Sequence, residues 1–167
     1  KMLNKYSDES LTPNQKITKS IALFDIENVL KEMEKFPYHD FPLNQIGGIH
    51  LNTIEFMSDM HPVRNISEAE DFIKRTNLIK DVYAGVLDGL ELQAEAGIYP
   101  PEFVFDHVIK QLNEFIDYDT EDHPLYTQFI KKVDELDISS NKSKSLKSDI
   151  KQSIKESVTP GFELLRN

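Results

Sequence analysis

From Ser67 to Gly97 the chain carries one continuous helical pattern. Phe72, Thr76, Ile79, Tyr83, Val86 and Leu90 recur four and three residues apart, and Ile73, Val82 and Leu87 widen the stripe. A strand cannot use that spacing, because its side chains change face at every residue, whereas a turn of 3.6 residues stacks them on one side. Ser67 and Glu70 are placed to close a capping box, and Gly97 suits a left-handed cap at the far end. The pattern predicts a helix of about 40 Å at 1.5 Å per residue, the strut against which the remainder is built.

The flanking segments obey the same rule. Thr12, Pro13 and Gln15 form a helix start, and a helix is expected over residues 13–36. Ile17, Ile21 and Phe24 overlap with Leu23, Ile26, Leu30 and Met33, an apolar surface wide enough to be packed on two sides. Residues 37–52, with Pro37, Pro42 and the Gly47-Gly48 pair, lose the period and read as an ordered apolar loop. A short helix over residues 53–60, capped by Asn52, follows and stops at His61-Pro62. Beyond the strut, Ile98-Tyr99-Pro100-Pro101 makes a tight corner into a helix over residues 102–116, with Phe105, Ile109, Leu112 and Ile116 inward. Pro124 opens a helix to about Leu136 with Leu125, Phe129, Val133 and Leu136 inward. After a polar linker over residues 139–145, a last helix from about Lys144 carries Leu146, Ile150, Ile154 and Val158, and Pro160 should kink or restart it. The expected fold is all-α: an antiparallel bundle of about five long helices and a short one, with its core around the Pro100-Pro101 hairpin. Residues 1–11 read as an N-terminal extension and residues 12–167 as a single helical domain.

Composition narrows what such a bundle could do. A net charge of −10 with scattered lysines repels a phosphate backbone, so no nucleic-acid partner is expected. The chain has no cysteine, which removes disulfides and thiolate chemistry. No apolar run approaches the ~20 residues that cross a bilayer. The start at Lys1 and the approach of Phe162, Leu164 and Leu165 to the final residue read as a piece cut from a longer protein.

Catalytic signatures are absent from the sequence: there is no HExxH, no glycine-rich phosphate loop and no GxSxG. No catalytic residue and no metal ligand is assigned. The five histidines, His39, His50, His61, His107 and His123, never stand three or four apart as ligands on one helical face do. His39 and Asp40 with His50 make the best remaining cluster for metal or acid–base work. His61-Pro62 and His123-Pro124 look like helix punctuation, and His107 shares a solvated face with Lys110, Gln111 and Glu114. Asn44, Gln45, Gly47, Gly48 and His50 form a denser polar cluster, and adjacent glycines let backbone approach a ligand or a helix closely. Two readings stand for these five: a tight turn packed under the bundle, or the lining of a groove.

The order of segments resembles the N-terminal part of a bacterial family, domain of unknown function 885. The matching stretches are FPLNQIGGIH at residues 41–50, EAEDFIKR at 68–75, AGIYPP at 96–101 and SVTPGFELL at 157–165. The resemblance implies a longer, largely helical parent, similar to zinc metallopeptidases that carry HExxH in their C-terminal half and often exported as lipoproteins of the cell envelope or periplasm. It makes this chain the non-catalytic N-terminal region flanking a substrate groove. No cofactor belongs to the fragment itself, and zinc to the full-length parent. Its partners would be the C-terminal remainder of the parent and a peptide substrate. The competing expectation is a helical binding or scaffold module without enzymatic activity.

Overall fold

The computed structural model describes residues 2–167, and no strand occurs among them. Eight α-helices are present: α1 (Pro13–Lys35), α2 (Ile49–Glu55), α3 (Ile66–Asn77), α4 (Ile79–Glu95), α5 (Glu102–Ile116), α6 (Pro124–Asp134), α7 (Ser140–Ser153) and α8 (Thr159–Arg166). A π turn, Phe56–Met60, extends α2, and another, Ile154–Val158, joins α7 to α8. With α3 and α4 meeting at Leu78, these segments amount to five long helical stretches and a short one. The fold is all-α, as the periodicity requires. Contacts divide the chain into two units, one running to Asp40 and one over Phe41–Asn167.

In the first unit, the Thr12 hydroxyl accepts from the Gln15 amide at 3.4 Å, and the Gln15 side chain accepts from the Thr12 amide at 2.9 Å, the box that starts α1. Two short 3-10 turns, Leu3–Lys5 and Asp8–Ser10, precede it. Lys19 ties them to the helix, donating to the Tyr6 carbonyl and to Asp8, each at 2.7 Å. No residue of α1 is buried, and Ile17, Phe24 and Met33 stand 60%, 66% and 65% exposed.

The second unit holds the core. Phe72 of α3 stacks on Phe129 of α6 with centroids 4.8 Å apart, and Phe162 of α8 lies 5.4 Å from Tyr83 of α4 and 4.9 Å from Phe115 of α5. Phe72, Phe129 and Phe162 are fully buried, and each contributes roughly 2 to 3 kcal/mol of transfer free energy. The α4–α5 hairpin does not close on itself. α8 packs against both arms. It can come that close because Gly161 lies under α4, where a Cβ would stand 3.2 Å from Lys80 Cα.

Several local expectations are corrected. The long strut breaks at Leu78, because the Ser157 hydroxyl enters the helical ladder: it accepts from the Lys80 amide at 3.1 Å and donates to the Asn77 carbonyl at 2.8 Å. A side chain inserted in this way is one of the few causes of a sharp kink. The strut is capped by Asn65, whose side chain accepts from the Glu68 amide at 3.0 Å, two residues earlier than the Ser67 box. Gly97 takes the left-handed cap expected of it, with φ of 71°. On α5 the buried face is Val104, Val108 and Leu112, while Phe105 and Ile109 are 45% and 42% exposed. The helix is turned because α8 sits beside it. α2 begins at Ile49, where Gly48 is the N-cap, and α7 begins at Ser140, where the Ser139 hydroxyl accepts from the Lys142 amide. Both starts lie upstream of their expected positions. Leu125, Phe129 and Val133 of α6, and Leu146, Ile150, Ile154 and Val158 of the last helix, are buried as their spacing requires. Pro160 follows the π turn at the start of α8, so the missing donor falls where the helix restarts.

Candidate functional site

The segment from Phe41 into α2 is built around Asn44. Its side-chain oxygen accepts from the amides of Ile46 at 3.0 Å and Gly47 at 2.8 Å, and its amide donates to the Phe41 carbonyl at 3.1 Å. An Asn that bonds the backbone two and three residues on makes a turn without regular structure. The turn closes when the Gly48 amide donates to the Asn44 carbonyl at 3.1 Å and the Ile49 amide to the Pro42 carbonyl at 2.8 Å. Asn52, expected to cap a helix, instead donates to the Gly47 carbonyl at 2.8 Å.

A tertiary brace then fixes the turn to α5. The Gln111 amide donates to the Gln45 carbonyl at 3.1 Å, and its oxygen lies 3.0 Å from His50 Nε2. Because that oxygen can only accept, His50 carries its proton on Nε2. His50 is fully buried, and burial lowers its pKa, so the ring is neutral. Its Nδ1 is buried without a hydrogen-bond partner and faces Gly48, where a Cβ would stand 2.7 Å from it. Gly48 leaves room that a side chain would fill, where a ligand or another helix was the expected neighbour. It admits close approach, and the group that approaches is an imidazole of the same chain.

All five candidate residues fall within this one device. Gly48 and His50 are buried and Asn44 and Gln45 half-buried, while Gly47 and the neighbouring Ile46 form an exposed tip, Ile46 at 87%. The other candidates separate. His39 is exposed in the first unit, with Nδ1 3.0 Å from the Pro37 carbonyl, and His107 is exposed on α5. His61 and His123 are buried beyond what punctuation requires. His61 packs edge-on against Phe72 at 5.2 Å. His123 Nδ1 accepts from the Leu125 amide at 3.2 Å as the N-cap of α6, and burial pushes its pKa down to about 4. Among the described residues no three His, Asp or Glu side chains gather where a metal ion could be held.

Two further polar side chains, Lys132 and Gln111, are half-buried and tie distant segments together. Lys132 donates to the carbonyls of Ser58 at 2.6 Å and His61 at 2.8 Å, closing the π turn after α2. Gln111 was placed on a solvated face by its helical register. Its partners lie 61 and 66 residues away, so no local pattern could have found them.

A solved structure from Colwellia psychrerythraea, described as that of a "putative lipoprotein", is similar to this chain with a TM-score of 0.74 and 23% identity over 75% of the present sequence. The present chain spans only 22% of that protein. No curated protein sequence matches. The family model described as bacterial protein of unknown function (DUF885) matches residues 1–167, the whole length, and the chain belongs to that family.

Proposed function

We propose that this chain is the non-catalytic helical N-terminal region of an exported, zinc-metallopeptidase-like protein, and that residues 44–50 flank a substrate groove completed by the remainder of that protein. The observation that carries the reading is the form of the loop. A turn braced to α5 through Gln45, His50 and Gln111 holds an exposed tip of Ile46 and Gly47 in one position. A rigid edge with an apolar point is what positions an extended peptide, since the ordering cost is met before binding. Any zinc would be held by the remainder, together with the acid–base groups of hydrolysis. The lipoprotein description of the Colwellia protein supports export and a lipid-anchored parent in the cell envelope. No helix among the described residues is long and apolar enough to cross a membrane.

The test uses the full-length protein and the 167-residue chain side by side. Zinc content and peptide hydrolysis are measured on both, and then on full-length Ile46→Asp, Asn44→Ala and Gln45→Ala. The expected result is zinc and turnover in the full-length protein only, with KM raised by the loop variants more than kcat is lowered. Turnover untouched by all three variants would remove the groove. A full-length protein without zinc or turnover would favour the scaffold reading.

A further inference from the structure

The corner between α4 and α5 meets α8 around a cavity of about 300 Å3 that opens on the surface of the second unit. Leu90, Val104, Val108 and Leu165 supply aliphatic walls, and among the described residues that line it Arg166 has the one charged side chain. Its rim is apolar as well: Tyr99, Phe105 and Ile109 border it while 60%, 45% and 42% exposed. Aromatic and aliphatic side chains gathered at the mouth of an apolar cavity mark an interaction surface, because a soluble domain gains nothing by wetting them together.

We propose that this cavity and its rim are the seat of an apolar segment of the same polypeptide from outside residues 1–167. The proposal rests on the reading that the chain is one region of a longer protein. The similar Colwellia chain has more than three-quarters of its length outside the matched part, so a protein of this kind contains the polypeptide needed to cover the surface. A small ligand fits less well. The cavity is at the lower end of ligand-site volumes, and Tyr99, Phe105 and Ile109 stand exposed at its rim, where a ligand held inside would leave them wet. An apolar side chain seated in the cavity, with its own helix or loop lying across Phe105 and Ile109, buries both at once.

The absence of cysteine gives a direct assay, because Ile109→Cys introduces a single thiol into this region. Maleimide labelling at position 109 is followed by peptide mass spectrometry in the 167-residue chain and in the full-length protein, with Lys144→Cys as an exposed reference. Position 109 is expected to label near the urea-unfolded rate in the isolated chain and roughly tenfold more slowly in the full-length protein, as a docked segment protects what it covers. Ile109→Glu should leave the helical signal of the isolated chain intact while lowering the Tm of the full-length protein. Equal labelling in both proteins overturns the seat and leaves the proposed function standing. Protection that appears in the isolated chain and grows with its concentration also overturns it, in favour of a second copy. A coding sequence that adds no further region on either side of residues 1–167 defeats both readings together.

Discussion

The two adjacent glycines should respond oppositely to the same methyl group. A Cβ at Gly48 would stand 2.5 Å from the Asn44 carbonyl oxygen and 2.6 Å from His50 Cε1, whereas one at Gly47 meets nothing within 4 Å. Neither obstacle at Gly48 can retreat. The Asn44 carbonyl is held by the Gly48 amide itself, and the His50 ring is fully enclosed and bonded to Gln111. Overpacking of this kind costs about 1 to 3 kcal/mol, and displacing His50 from Gln111 leaves buried polar groups unpaired at about 1 kcal/mol or more. Gly48→Ala is therefore expected to lose about 3 kcal/mol, equivalent to roughly 6 to 12 °C in Tm for a chain of this size. Gly47→Ala, whose φ is not in the left-handed region, should change stability by less than about 1 kcal/mol and in the stabilising direction. Urea unfolding followed by circular dichroism measures both. The midpoint should fall for Gly48→Ala with the slope m unchanged. His50→Ala in the Gly48→Ala background should cost about 1 kcal/mol less than the two single changes added together, since the clash has one partner fewer. If the two glycine variants unfold at the same midpoint, the imidazole contact is not what selects glycine here.

Acid should weaken the fold before carboxylates titrate. His123, His50 and His61 all have pKa values lowered by burial, His123 to about 4, so the unfolded chain binds protons that the folded chain refuses. For all three the loss sets in as pH falls below the ordinary value of 6.5; for His123 it runs down to about 4 and amounts to about 3 kcal/mol. His123→Asn keeps an N-cap acceptor and should flatten the pH dependence of the urea midpoint over that window; an unchanged slope would count against the assignment. Ser157→Ala removes both bonds at the Leu78 break and should cost about 2 kcal/mol, with faster hydrogen exchange at the Lys80 amide as its local signature. Gly85 and Gly89 of α4 have open space where a Cβ would go, so alanine at each should raise stability by about 0.5 to 1 kcal/mol in thermal melts. Gly161→Ala, 3.2 Å from Lys80 Cα and Tyr83 Cδ2, should lower it.

Wherever a helix is governed by its own residues, its position was legible in the chain. The Thr12–Gln15 box, the left-handed Gly97, the start of α6 at Pro124 and the four-residue spacing of Leu146, Ile150, Ile154 and Val158 all depend on neighbours within about one turn. Periodicity and capping report those directly. The loop at residues 44–50 was recognisable as a special backbone from its paired glycines and clustered amides. What approaches Gly48 is set by packing, and a pattern of residues does not name the approaching group.

What only the tertiary structure decided are the points where one segment enters another. Ser157 opens the strut at Leu78 from about eighty positions downstream, Gln111 joins His50 to the Gln45 carbonyl, and α8 turns α5 so that Val104 and Val108 face inward in place of Phe105 and Ile109. Helical register ranks faces by hydrophobicity alone. When two faces of one helix are both apolar, as on α5, the neighbour that arrives selects between them, and its position is set by the packing of the whole unit.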